Sequence, residues 1–279
     1  MKSWILRKAT KKWLRRYARR ELVPSVRAVF IGDFVSEEVL LYEYYDTLTL
    51  DFYNDVLFPN LSHASTALDI GANIGNHTSV ISKHFDHVIA FEPNPQVALL
   101  LRANLMGQSI DVFELGISDR QGCRKFEVNV DNLGASNIAD DDTDADLVVD
   151  VDTIDRLSEQ LDFGNVGFIK IDVEGHEARV LAGAQSLLAT QHPVIALDLH
   201  SYLVADVAGQ VDREIKKAGY RFIYALLPER EKGGRWIPIR WIPKIFRPKV
   251  KRLVLKSIDG ITGEYGQIII SNKSLTPQL

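Results

Sequence analysis

The chain has 279 residues, 46% hydrophobic and 25% charged, the balance of a soluble globular protein long enough to bury a full core without cross-links. Its formal net charge of −4 is segregated: residues 1–23 carry nine Lys/Arg and one Glu, residues 228–279 carry eleven Lys/Arg and four Asp/Glu, and acid dominates between. Cys123 is alone, which excludes an intramolecular disulfide and fits a reducing compartment, and no apolar run reaches the roughly 18 residues of a membrane span.

MKSWILRKATKKWLRRYARREL reads as a basic amphipathic helix with Trp4, Ile5, Trp13, Leu14 and Tyr17 on a narrow apolar side. Such a helix either packs on the domain or rests on an anionic membrane surface. No continuous apolar core follows the basic start, so no signal peptide is expected. Residues 37–60 read as further helix, and 1–60 together as an N-terminal helical extension.

From residue 66 strands alternate with helices. Strands are expected at 66–70, 87–92, 110–115, 168–172, 193–200, 220–227 and 265–271, with helices at 75–83, 95–105, 177–189 and 204–218. That order implies a doubly wound, mostly parallel sheet, with the last two strands antiparallel because no helix separates them. The acidic run 140–146 reads as a surface loop.

In ALDIGANIGNHT, Gly71 and Gly75 flank a turn between the first strand and its helix, where backbone can approach a ligand and a helix N-terminus offers N–H groups. Glu92, 21 residues beyond Gly71, ends the second strand, where a nucleotide-binding fold places a carboxylate for ribose hydroxyls. Ala72-Asn73 stands where a dinucleotide motif wants its second glycine, which argues against NAD. Asp69 near the turn suits a ligand with positive amino and sulfonium groups, as S-adenosylmethionine has.

LDIGANIGNHT, FEPNP, GISD, FIKIDVEGHEARVLAGA and ALDLH, in this order over residues 64–272, resemble the FkbM-type methyltransferases. The resemblance implies a class I, Rossmann-like α/β domain at 61–279, S-adenosylmethionine as cofactor, and methyl transfer mostly to hydroxyl groups. It assigns cofactor binding to Asp69, Gly71, Ala72, Asn73, Gly75 and Asn76 in the turn, and to Glu92, Pro93 and Asn94 after the second strand. Ile117, Ser118 and Asp119 fall near the adenine, and Asn132, Gly134 and Ser136 match an N-x-G-x-S element on the substrate side. Asp198 stands where the family more often has glutamate.

FIKIDVEGHE crowds Asp172, Glu174, His176 and Glu177 at a strand end. Ligands of such sheets sit at carboxyl ends, so Asp172 and Asp198–His200 would face the reacting group together. His200 is the first candidate base, with Asp172, Glu174 and His176 as its catalytic neighbours. Glu174 and His176 as helix caps remain the plain alternative. A second reading has Asp172, Glu174, Asp198 and His200 hold a divalent ion, magnesium or manganese, though no metal is expected. Lys170 is given no role.

The insertion at 228–262 interleaves Trp236, Arg240 and Trp241 with further basic residues. It is expected to wall the acceptor site, and with residues 1–22 to touch an anionic membrane at its cytoplasmic face; nucleic acid is disfavoured by the acidic centre. The function expected is O-methyl transfer to a sugar hydroxyl in a polysaccharide or glycolipid pathway. The rival is a non-catalytic peripheral membrane or nucleotide-binding module on the same fold.

Overall fold

A computed structural model describes residues 28–61, 65–130, 132–139, 145, 147–199, 205–228, 253–261 and 267–275. Its centre is β1 (Thr66–Ile70), whose five residues TALDI are all buried, as befits a strand covered on both faces. β1 pairs in parallel with β2 (His87–Phe91) on one side and with β8 (Val166–Ile171) on the other. β3 (Ile110–Phe113) extends the first side and β9 (Val194–Asp198) the second, both in parallel. The chain therefore winds outward from β1 through β3 and resumes on the opposite side at β8. That reversal opens a crevice at the carboxyl ends of β1 and β8.

Beyond β9 the sheet turns antiparallel. β12 (Gln267–Ser271) pairs with β9 and with β10 (Phe222–Pro228), as expected for two strands without an intervening helix. β11 (Leu253–Ile258), not anticipated in the insertion, pairs antiparallel with β10 and makes an eighth strand, in the order β11-β10-β12-β9-β8-β1-β2-β3. Because β10 runs in the same direction as β9, Pro228 leaves the sheet at the crevice edge and the chain re-enters there at Leu253.

The helices are shorter than their apolar patterns. α1 (Phe34–Tyr42) and α2 (Thr47–Phe52) are separated by Glu43 and Asp46, both left-handed in backbone, and α2 runs on through a π-turn to Asn60. The helix expected at 75–83 shrinks to α3 (Thr78–Ile81), since Asn73 (φ +50°) and Gly75 (φ +91°) belong to the turn. α4 (Pro95–Asn104) follows β2, and α5 (Ile154–Leu161) precedes β8. The single helix expected at 177–189 is two, α6 (Glu177–Ala182) and α7 (Gln185–Gln191). Between them Gly183 packs against the Ser118 carbonyl with no room for a Cβ. α8 (Ala205–Lys217) covers the same face.

A second, four-stranded sheet lies between β3 and β8. It comprises β4 (Gly116–Ile117), β5 (Gly122–Glu127), β6 (Asn137–Ile138) and β7 (Leu147–Asp152), in the order β4-β7-β5-β6. Among the described residues its own buried cluster is Phe126, Val149 and Val151, with Val128, Ile138 and Leu147 partly buried against it, too little apolar periodicity to stand out in the sequence. The described part of the extension packs on the main sheet: the Phe58 ring meets Phe168 edge-on at 5.1 Å, and Tyr53 meets it at 5.8 Å. Residues 1–22 and 229–252, and with them the basic amphipathic segment and most of the insertion, lie outside the described residues.

Candidate active site

The crevice is a cleft of about 1000 Å³, open mouth included, running from the end of β2 across β1 and β8 to the end of β9. Its floor is backbone. Gly71 (φ +81°) lies so close to the Asp172 carbonyl that a Cβ would collide with it, so the loops after β1 and β8 cross with no side chain between them. The Gly71 and Ala72 N–H groups both donate to the Phe91 carbonyl at 3.0 Å, which ties the turn to the end of β2.

Glu92 follows at that end. Its two carboxylate oxygens accept the Asn73 N–H at 3.0 Å and the Asn94 N–H at 2.9 Å, so backbone fixes its plane toward the cleft. Burial pushes its carboxyl up to about 7, against the pull of those two hydrogen bonds. Asn94 caps α4 by accepting the Gln96 N–H, with Pro95 at the first helical position.

The β8 end is built from charge. Lys170 is the only charged side chain in the strand VGFIKI and is buried; its Nζ lies 3.1 Å from Asp172 Oδ2 and 3.6 Å from Asp69 Oδ1. Burial opposes the ammonium charge, but Asp172 and Asp69 outweigh it and hold the Lys170 pKa above its usual range. Burial raises the Asp69 carboxyl in turn, with Lys170 and a 2.6 Å hydrogen bond from Thr78 working against it. Beside them His77 is buried and pushed down to about 3, by burial first and by Lys170 second, so its imidazole is neutral. Tyr45 completes this end. Its backbone is clasped by Asn76 through two hydrogen bonds of 3.0 and 2.9 Å, and burial and nearby carboxylates keep its phenol protonated.

Of the residues expected in the cofactor turn, Gly71, Ala72, Asn73 and Asn76 line the cleft, as do Glu92, Pro93 and Ile117. On the far side Asn132, Ser136, Asp172, Glu174 and Asp198 line it too. Asp69, Gly75 and Asn94 stand behind that wall, anchoring Thr78, packing on Leu101 and capping α4 respectively. Ser118, Asp119 and His176 form a separate group: Ser118 Oγ lies 2.9 Å from His176 Nε2 and donates to Asp119, which pairs with Arg179 at 3.2 Å. His176 is thus brought to the adenine-side candidates.

His200, Trp236, Arg240 and Trp241 lie outside the described residues. Among those described, no three of His, Cys, Asp and Glu stand together as an ion site. No described helix is long and apolar enough to cross a membrane. The sequence reading overlooked Lys170, His77 and Tyr45 as cleft residues. Lys170 carried a legible signal, since a lone charge inside an otherwise apolar buried strand must be paired.

The methyltransferase FkbM domain model matches residues 69–222, more than half of the chain. Over 135 residues, 48% of this chain, the sequence is 31% identical to hexuronic acid methyltransferase AglP of Haloferax volcanii; the stretch spans 55% of that protein, about half its length. Among solved structures, methyltransferase FkbM from Methylobacillus flagellatus KT is 19% identical, covering 61% of this chain and 42% of that one at a TM-score of 0.43. Precorrin-6y C5,15-methyltransferase from Geobacter metallireducens GS-15 is 16% identical, covering 90% and 99% at 0.43. With Asp69 and the glycine turn opening the matched span and the first residue of β10 closing it, this chain belongs to the FkbM methyltransferase domain family.

Proposed function

We propose that the protein is an S-adenosylmethionine-dependent O-methyltransferase acting on a sugar hydroxyl, within a polysaccharide or glycolipid pathway. The observation that carries this reading is Glu92, a buried carboxylate held at the end of β2 by the Asn73 and Asn94 N–H groups and turned into the cleft. Two acceptor oxygens in that place fit a pair of ribose hydroxyls. The missing Cβ of Gly71 lets the loops after β1 and β8 cross in contact and form the cleft floor, and the carboxylates beyond it suit the positive amino end. S-adenosylmethionine would supply an electrophilic methyl group on a positively charged sulfur.

The chain's own residues then position and deprotonate. Ile117 lines the adenine side, while Ser118 and Asp119 fix the loop beneath it. Asp172, held by Lys170, takes the amino end or orients the acceptor hydroxyl. His200 follows the end of β9 by two residues and is the candidate base for the hydroxyl proton. Asn132 and Ser136 face the acceptor from the loop before β6, and the sequence offers Trp236, Arg240 and Trp241 as further acceptor contacts. A saccharide acceptor is supported by the name of the Haloferax volcanii relative. The basic segments 1–22 and 230–256 would bring a lipid-linked acceptor to the cytoplasmic membrane face.

Calorimetric titration with S-adenosylhomocysteine tests the reading. Micromolar-range binding by the wild type, weakened at least about tenfold in Glu92→Ala, is expected, since losing two ribose hydrogen bonds costs about 1.5–3 kcal/mol. A folded wild type that does not bind would sink it.

A further inference from the structure

The family match begins at Asp69, yet two of the residues lining the cleft, Val35 and Tyr45, lie more than twenty positions upstream. The connection between them and the cofactor end runs through Asp33. Asp33 is 1% exposed, and its two carboxylate oxygens serve different elements. Oδ2 accepts the Ser36 N–H at 2.8 Å and so caps α1. Oδ1 reaches across the fold to accept the Leu133 N–H, also at 2.8 Å.

Leu133 opens the short turn Leu133–Ala135 that overhangs the β1 turn. Inside that turn Gly134 packs on the Asn73 side chain so tightly that a Cβ would stand 3.0 Å from Asn73 Nδ2 and 3.3 Å from Val35 Cγ2. Asn73 donates its N–H to Glu92. Asp33, Leu133–Gly134, Asn73 and Glu92 therefore form one unbroken series of contacts from the N-terminal segment to the ribose-side acid. An apolar cluster of Val35, Val39, Ile74 and Val97, with Leu133 and Tyr45 against it, fills the space behind. Asn104 fastens the start of the segment by donating to the Ala28 and Ile74 carbonyls at 3.0 and 2.8 Å.

We propose that residues 33–45 are an integral wall of the cofactor cleft, and that Asp33 is a positioning residue that pins the 132–136 loop over the Asn73–Glu92 end. The inference rests on the cofactor reading of Glu92. A helix cap alone needs one carboxylate oxygen, and here the second is spent on a loop 100 residues away in sequence. That loop belongs to a small sheet with little core of its own, so its place above the cleft depends on such a tie.

The test compares Asp33→Ala, Asp33→Asn and Thr153→Ala, the last removing the α5 cap at a residue that does not line the cleft. Two readouts are taken: the S-adenosylhomocysteine dissociation constant, and ligand-free hydrogen exchange at the 133–136 amides. Asp33→Ala should raise the constant at least about tenfold and speed exchange at least about tenfold. Asp33→Asn, which keeps one acceptor oxygen, should fall between, and Thr153→Ala should stay within about twofold of wild type on both while lowering the unfolding temperature. Asp33→Ala within twofold of wild type on both readouts overturns the pin, and so does an equal loss in Thr153→Ala. Should Asp33→Ala not fold, Asp33→Asn indistinguishable from wild type in exchange overturns it. A wild type that fails to bind S-adenosylhomocysteine removes the cofactor reading instead, and the exchange comparison still decides whether Asp33 holds the loop.

Discussion

The two ends of the cleft are made from different materials. At the β2 end the backbone does the fixing: Gly71 leaves room for a loop crossing, and two N–H groups hold Glu92. At the β8 end side chains do it, with Lys170 between Asp172 and Asp69 and a neutral His77 alongside. A backbone-fixed acid keeps its geometry whatever its charge. A side-chain cluster keeps its geometry only while its charges balance, because each buried ion depends on its partner. The β8 end is therefore the end that substitution should disturb most.

The largest effect is expected at Lys170. Asp69 is fully buried, and its Oδ1 has no hydrogen-bond partner, only the ammonium at 3.6 Å. Lys170→Met keeps the bulk of the stem but leaves the carboxylates beneath it uncompensated, at a cost of about 3–5 kcal/mol in unfolding free energy. Denaturant titration at pH 7 reads this directly. A loss under about 1 kcal/mol would mean that the cluster behaves as a surface pair and that the contrast between the two ends is wrong.

This contrast also sets what the sequence disclosed. The strand alternation placed the parallel half of the sheet because β1, β2, β8 and β9 are apolar on both faces. Glycines and an acid at fixed spacing exposed the β2 end, since backbone geometry there demands those residue types. The β8 end was legible only as a crowd of titratable groups. Which of them meet depends on strand pairing: β8 against β1 in register sets Lys170 beside Asp69. Tyr45 and His77 were invisible for the same reason, because one comes from an extension outside the alternating region and the other from a turn read as helix. The small sheet was missed because half of its strands have two residues and its core has three. His176 was assigned to the reaction centre by proximity in sequence; its contact with Ser118, from the residue before α6, was not legible there.

The next effect is a pH slope at the β2 end. Burial lifts Glu92 from 4.5 to about 7, so the folded state favours its protonated form. Its stabilising contribution is complete below 4.5 and is lost as pH rises through 7. Between pH 5.5 and 8 that amounts to about 2 kcal/mol. Glu177, likewise raised to about 7 by burial, adds a slope of the same sign. Glu92→Gln should therefore flatten the decline by about 2 kcal/mol relative to wild type, with Glu177 left to supply the remainder. Unfolding free energies at the two pH values give the comparison, and equal slopes in both proteins would place Glu92 in contact with bulk water.

The smallest effect has the opposite sign and belongs to the β8 end. Burial and the Lys170 charge lower His77 from 6.5 to about 3. A depressed base stabilises the fold above its unfolded pKa and withdraws that contribution as pH falls, because the unfolded chain takes up the proton that the folded one refuses. At pH 5.5 the loss is about 1.4 kcal/mol. His77→Gln cannot titrate, so the difference between pH 7.5 and 5.5 should shrink by that amount. The same measurement in Lys170→Met shows whether the two ends are built as differently as their geometry implies. With the ammonium gone, one of the two causes that hold His77 neutral is gone too, and the Asp172 charge beside it favours the imidazolium. The acid loss attributable to His77 should then be smaller in Lys170→Met than in wild type, whereas the Glu92 slope, set first by burial and only last by the Asp69 and Asp172 charges, should change less.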